Sequence, residues 1–535
     1  MKLLTHPAAT ALGLTTLIIL PMVSSLVSTT HRTVYHMQGP VISVFFAVML
    51  LILMLWLLIT GLLMLVRRSR RIHRILWTTI LCALPWVTVK LATTILDWSM
   101  PHRISLIFFS IGITAMIALL IFWTPSFQRG FDRIQNFAAT LLGFVALSSL
   151  LMLVQLGWFA WQAHAINAPQ AMHRSTVPVE TSAHSAGHSR IIWLLLDELS
   201  YRQVYEHRFP GLRLPAFDRL AQQSTIFTHA IPAGLMTEYV IPSLLTGVPA
   251  NALRASADGR QVYLHNPAQN RWETFDQHQT IFQDALNRGY RTAVGGWYNP
   301  YCRILPQVLD RCFWTFRDPT LNGIATDLPL RVNLLRPIQH VVNIGLTYFQ
   351  WNRHGDLNDS ATTQVHIDDY RELFTESDTL LDDPSLDFLY LHMPIPHPGG
   401  IYNRRTGQLT TGPSTYIDNL ALADTYLAHF RSKLEQSGEW DSTTILIMGD
   451  HSWRTTSVWS SDPSWTSEEQ NASDGGKFDT RPAYIVKLPN QQQPERIDTP
   501  FPAIETRALL DALMDQHIQS PQELAAWANT QAAGN

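Results

Sequence analysis

Five apolar runs fill the first third of the chain, at about 8–27, 41–66, 75–96, 104–123 and 137–161. Each is near or above the roughly 20 residues that a helix needs to cross a hydrocarbon layer. A soluble core helix would be shorter and apolar on one side only. The pattern predicts an α-helical membrane domain of five transmembrane helices over 1–164. The first run follows only Lys2 and His6 and shows no clean small-residue cleavage site, which favours an anchor over a cleaved signal peptide. From Ala165 to Ser189 the chain is rich in Ala, Ser, His, Thr and Pro without an apolar period, the pattern of a linker.

Beyond residue 190 the pattern changes. Ile191–Leu196 is continuously apolar, as in a strand buried on both faces. Helical and strand signals then alternate: a helix at Pro215–Gln223 and a strand at Thr225–Ala230, a helix at Thr280–Arg288 and a strand at Thr292–Gly296. A strand follows at Leu386–Leu391, a long helix at Tyr416–Ser437 and a strand at Thr443–Met448. This alternation predicts an α/β exported domain with a mostly parallel central sheet over 190–490. A helical C-terminal segment is expected over 491–535, from Ala503 to Ala533. Leu321–Leu380 has no readable period and is expected to be an insertion or a lid.

Charge orients the membrane part. Arg67, Arg68, Arg70, Arg71 and Arg74 form the densest basic cluster in the chain, which places that loop on the cytoplasmic side. Arg129 and Arg133 fall in the next loop of the same side. Five spans then put everything after Trp161 outside. With 39 basic and 42 acidic residues there is no electrostatic case for nucleic acid as a partner. Cys302 and Cys312 lie in the exported part, where an oxidising compartment makes a disulfide the expectation. Two cysteines alone would leave a zinc site short of ligands.

In an open α/β sheet, ligands bind at the carboxyl ends of the strands. Asp197-Glu198 directly follows the first strand, and Gly449-Asp450-His451 follows Thr443–Met448. Carboxylates and an imidazole at strand ends suit zinc or manganese. Gly234–Gly247 carries three hydroxyls, Thr237, Ser243 and Thr246, any of which can act as a metal-activated nucleophile or simply cap a helix. After the strand Leu386–Leu391 come His392 and His397, then Tyr402 and Arg405. His397 is the better candidate for function, and His392, nearer the sheet, is open to a purely structural role.

Taken together these residues resemble the sulfatase-like branch of the alkaline phosphatase superfamily. In layout the chain is similar to lipid A phosphoethanolamine transferases and lipoteichoic acid synthases, which join five spans to an exported, alkaline phosphatase-like α/β domain. The resemblance implies that Glu198 or Asp197, with Asp450 and His451, holds a divalent metal, zinc or alternatively manganese, as one or two ions. It implies that Thr237, five residues before Pro242, is the nucleophile and itself a metal ligand. His397 would steady charge or protonate the leaving group, with His392, Tyr402 and Arg405 at the substrate. Lys477, shortly before Arg481-Pro482, is similar to a substrate-oxyanion lysine of sulfatases. Formylglycine sulfatases need Cys or Ser two residues before the proline and Arg two after it. Val240 and Leu244 stand there, so that chemistry is not expected. The implied partners are a phospholipid donor, an envelope glycan or lipid acceptor, and the membrane. The implied place is a bacterial inner membrane with the catalytic domain in the periplasm.

Overall fold

The structure, a computed structural model, describes residues 6–26, 32–37, 39, 41–95, 100–123, 127–166, 170–173, 189–317, 330–335, 360–462 and 464–534. The chain divides into two units. The first holds Met1–Val34, Pro40–Ala165 and Thr320–Gln339, and the second holds Tyr35–Gly39, Ile166–Pro319 and His340–Asn535.

Five long helices fill the five apolar runs of the first unit: α1 (Pro7–Leu26), α2 (Ile42–Val66), α3 (Arg70–Ile95), α4 (Met100–Trp123) and α5 (Phe127–Gln162). Among the described residues three stretches are long and apolar enough to cross a membrane, Ile42–Val66, Arg70–Val89 and Gly130–Ala165. The apolar stretches within α1 and α4, Pro7–Leu20 and Ile104–Leu119, are shorter. Many large apolar side chains of this unit are exposed, among them Leu58, Phe108, Phe109 and Leu150. In water such a surface would be costly, and a lipid environment removes that cost.

The second unit is built on a nine-stranded sheet. In chain order its strands are β1 (Ala171–His173), β2 (Ile191–Leu196), β3 (Thr225–Phe227), β4 (Thr292–Trp297), β5 (Arg311–Thr315), β6 (Phe388–Met393), β7 (Thr444–Met448), β8 (Tyr484–Lys487) and β9 (Glu495–Ile497). In space they run β1-β5-β4-β6-β2-β7-β8-β3-β9. The five central strands, β5 to β7, are mutually parallel, while β1 and β8 run antiparallel to their neighbours. All six residues of β2 are buried, as are those of β4, β6 and β7. Helices cover both faces of such strands, which is why they read as unbroken apolar runs.

Several boundaries move. The expected linker 165–189 contains β1, whose Met172 pairs with Cys312 on β5, while 174–188 lies outside the described residues. The strand expected at Leu386–Leu391 is shifted by two residues, so His392 lies within β6 and not after it. The expected strand Thr225–Ala230 is two strands: β3 in the main sheet, and Ala230–Ile231 paired with Phe501–Pro502. The segment after 490 adds β9 to the sheet edge before its helices Thr506–Met514 and Pro521–Gly534. Part of the unreadable region, Ser360–Leu381, is a long helix; much of the remainder lies outside the described residues. Cys302 and Cys312 are joined, tying the turn after β4 to β5.

Candidate active site

Parallel strands deliver their chain ends to one edge of the sheet, and the site lies there. Asp197 is the first residue after β2. Glu198 follows with φ of 62°, a left-handed turn that few side chains adopt. The turn is held by Tyr416, whose hydroxyl donates to the Glu198 carbonyl at 2.8 Å and whose ring stacks on Trp453. Tyr416 opens the helix Tyr416–Gln436, which starts with a Thr415/Asp418 capping box. Asp450 and His451 follow β7 through Gly449. A Cβ on Gly449 would stand 2.7 Å from the Leu199 carbonyl oxygen, so only glycine lets the two strand ends meet. The Glu198 amide then donates to Asp450 Oδ1 at 3.1 Å.

Thr237 opens the helix α6 (Thr237–Thr246), which ends at Gly247 in a left-handed cap. Its hydroxyl lies 2.8 Å from Asp450 Oδ2, 3.3 Å from Asp197 Oδ2 and 3.5 Å from His451 Nε2. His451 Nε2 is 3.1 Å from Asp450 Oδ2. Four donor atoms on a tetrahedral zinc at about 2.0–2.1 Å would stand about 3.4 Å apart. The observed spacings fit, and the donor set of two carboxylates, one imidazole and one hydroxyl suits a borderline ion. Charge fits as well. Asp197, Glu198 and Asp450 are fully buried, with one guanidinium, Arg454, against them. Three carboxylates against one cation leave a deficit equal to the charge of a divalent ion. Among the described residues Asp197 Oδ1 is buried without a hydrogen-bond partner, and burial, reinforced by Asp450 and Glu198, pushes the Asp197 carboxyl well above its ordinary range. Asp450 is equally buried, yet His451 and His392 outweigh burial and hold it low.

A family model described as Sulfatase matches residues 189–505, more than half of the chain. The chain belongs to the sulfatase family. It lies in the sulfatase-like branch of the alkaline phosphatase superfamily. No curated protein matches it. Among solved structures, Ps i-CgsB in complex with k-i-k-neocarrahexaose is 15% identical, covering 63% of this chain and 74% of that one, with a TM-score of 0.39. The phosphonate monoester hydrolase of Agrobacterium radiobacter is 13% identical over 61% and 74%, with a TM-score of 0.37. The lipoteichoic acid synthase LtaP from Listeria monocytogenes is 14% identical over 60% and 71%, with a TM-score of 0.35. This sulfatase-family chain is thus an enzyme of the hydrolase or transferase type, and its Asp/Glu/His cluster accords with the divalent-metal dependence of the family. Val240 and Leu244, at the positions where formylglycine chemistry needs Cys or Ser and Arg, are both fully buried apolar side chains of α6.

The two acids after β2 play unequal parts. Asp197 Oδ2 faces Thr237 and also takes the Nε2–H of His392 at 3.3 Å, while His392 Nδ1 accepts from the Tyr301 hydroxyl at 2.8 Å. His392 therefore orients Asp197 from inside the sheet, and burial pushes its pKa down to about 4. Glu198 lies within reach of the donor group, but Arg454 Nε at 2.8 Å, Arg454 Nη2 and the Trp459 indole at 3.0 and 3.1 Å already occupy its oxygens. The resemblance left Glu198 and Asp197 both open as ligand, and the geometry places Asp197 nearer Thr237.

Three expected substrate residues are placed otherwise. Tyr402 sits on a hairpin, paired with Leu409, and packs on the core. Arg405 is exposed in the hairpin turn, while its neighbour Arg404 points inward to Asp418 at 2.7 Å and to Glu468. Lys477 is exposed past the turn Asp474–Gly476, and among the described residues no hydrogen bond or ion pair joins its side chain to the cluster. Arg454, four residues after Asp450, is the cation at the cluster. It was missed because a lone arginine in a loop carries no signal until the fold sets Glu198 against it.

His397 stands where function was expected, with Nε2 3.9 Å from Glu198 Oε1. Its Nδ1 is 2.7 Å from the Pro398 carbonyl, which can only accept, so Nδ1 carries the proton and Nε2 a lone pair. Burial, with His366 next, holds it well below the usual imidazole range. In this state Nε2 of His397 is a hydrogen-bond acceptor. Trp297 and Trp459 both meet its ring edge to face at 5.2 Å.

Proposed function

We propose that this protein moves a phosphate-linked headgroup, of phosphoethanolamine or phosphoglycerol type, from a phospholipid to an envelope glycan or lipid through a phospho-threonine intermediate. The observation that carries the reading is the Thr237 hydroxyl, at a helix start, within 2.8–3.5 Å of Asp450, Asp197 and His451. Such a hydroxyl is placed as a nucleophile, and the first turn of α6 offers backbone N–H groups to a phosphoryl oxygen. Asp197, Thr237, Asp450 and His451 would hold a divalent ion, zinc or manganese. When bound, that ion supplies the positive charge that favours an ionised hydroxyl and developing phosphoryl charge.

The Thr237 proton lies on its hydrogen bond to Asp450 Oδ2. As Thr237 Oγ1 bonds to phosphorus, the bond to diacylglycerol breaks and the departing oxygen takes up the proton. In the second half the acceptor hydroxyl loses its proton along the same path, its oxygen bonds to phosphorus, and Thr237 leaves and is reprotonated. His392 keeps Asp197 oriented throughout. Arg454 neutralises Glu198 beside the site. Five membrane spans, with the α/β domain on the periplasmic side of a bacterial inner membrane, would keep the site near its lipid donor.

Intact mass of the purified protein after exposure to native phospholipids tests this. Wild type is expected to gain the mass of one phospho-headgroup and Thr237→Ala none. An adduct on the alanine variant, or a metal-loaded wild type that neither gains mass nor releases diacylglycerol, would refute it. Headgroup released to water regardless of added acceptor would make the protein a phosphodiesterase with the same site.

A further inference from the structure

The long helix in the unreadable region brings a residue to the site that no sequence signal marked. Helix α7 (Ser360–Leu381) carries His366, whose ring stacks on Trp297 at 5.2 Å and 26° and stands 5.7 Å from the ring of His397. Trp297 is itself pinned: its indole N–H donates to Asp369 Oδ2 at 3.2 Å, and Asp369 is held by Thr315 and Arg317. Trp297, His366, His397 and Trp459 thus form an aromatic box next to Glu198.

The polar inventory of this box is one-sided. His366 Nδ1 stands 3.3 Å from the Gly399 carbonyl, and a carbonyl only accepts, so the His366 proton is on Nδ1 and its Nε2 carries a lone pair. The same holds for His397 and the Pro398 carbonyl. The indole N–H of Trp297 goes to Asp369 and that of Trp459 to Glu198. Every N–H of the box is therefore spent on the protein, and what remains is two imidazole lone pairs. His366 Nε2 is shielded from solvent and has no hydrogen-bond partner among the described residues. Such an orphaned acceptor is costly unless a ligand satisfies it. The His397 side chain is 18% exposed, so the group reaches solvent at that ring.

An acceptor-only box discriminates by hydrogen-bond type. A primary ammonium has three N–H donors and no lone pair, so it leaves nothing unsatisfied there. A glycerol hydroxyl brings lone pairs that would find no donor. Phosphate and sulfate bring only acceptors. Aromatic faces add attraction for a cation, and Arg454, whose guanidinium stands 5.7 Å from the Trp459 ring, is neutralised by Glu198.

We propose that His366 and His397 form a subsite selecting a headgroup that ends in a primary ammonium, with His366 the specificity-determining residue. This rests on the headgroup-transfer reading above. The test measures diacylglycerol release by the full-length, metal-loaded protein from phosphatidylethanolamine, phosphatidylglycerol and phosphatidylcholine in mixed micelles. Wild type is expected to prefer phosphatidylethanolamine over both by about tenfold or more, the worth of one hydrogen bond. Phosphatidylcholine keeps the charge but has no N–H, so equal use of it would mean aromatic attraction alone and would overturn the acceptor role. His366→Phe keeps a ring on Trp297 and removes the acceptor. Its ratio of kcat/KM for phosphatidylethanolamine to that for phosphatidylglycerol is expected to fall about tenfold, through KM. A variant that loses all three lipids alike, with the ratio unmoved, or a wild type that uses the first two equally, overturns the subsite and leaves the transfer reading standing. Release from none of the lipids overturns both.

Discussion

Replacing Arg454 with methionine tests the electrostatic account of the site. Glu198 is fully buried and Arg454 is 6% exposed. The substitution removes the Nε contact at 2.8 Å, the Nη2 contact, and the Nη1 bond to the Leu235 carbonyl at 3.0 Å. Glu198 keeps the amide of residue 454 at 3.0 Å and the Trp459 indole. Breaking a buried pair from one side costs about 3–5 kcal/mol, and the two surviving donors put this case near the lower end, about 3 kcal/mol. With an unfolding entropy of about 2.1 cal/mol/K per residue, a domain of this size should lose about 4 °C in Tm. Glu198→Gln combined with Arg454→Met removes both charges while the amide still accepts from Trp459. That double variant should lie within about 1 kcal/mol of wild type, so the two sites couple by about 2 kcal/mol or more. Tryptophan fluorescence during thermal unfolding of the full chain in detergent reads this. A loss below about 1 kcal/mol in the single variant, or additive losses in the double, would refute the reasoning.

Two further outcomes follow from the same geometry. Chelation with EDTA should lower Tm and added zinc should restore it, since an ion at 100 times its Kd stabilises by about 2.7 kcal/mol; Asp197→Asn should blunt the response, and an EDTA-insensitive wild type would remove the metal site. Burial raises Asp369 to about 6 despite Arg317 and its hydrogen bonds. The folded protein therefore binds more protons than the unfolded chain between about pH 4 and 6, and this group's contribution to stability falls as pH rises through that window, by about 3 kcal/mol in all. Asp369→Asn should lose that slope, and stability profiles of the two proteins that run parallel from pH 4 to 7 would count against it.

Legibility followed physical type. Fully buried parallel strands must be apolar throughout, so β2 and β7 stood out, and with them the carboxylates at their ends. Thr237 was one of three equivalent hydroxyls until resemblance separated it. His392 was read as a loop residue because a strand whose last two positions are His and Met does not look buried. In the structure Asp197 and Tyr301 satisfy that imidazole inside the sheet. Tyr402, Arg405 and Lys477 were placed by motif spacing, which says nothing about which way a hairpin or glycine turn faces.

Local pattern by itself determined the apolar helices, the α/β character of the second unit and the strand-end position of Asp197, Asp450 and His451, because hydrophobic periodicity and strand polarity are properties of neighbouring residues. Only the tertiary structure decided that Arg454 and Trp459 close on Glu198, that Asp197 rather than Glu198 faces Thr237, and that His366 on α7 joins His397 around Trp297. Those pairings join residues far apart in sequence, and they exist only where the sheet brings its strand ends to one edge and excludes water from the charges between them.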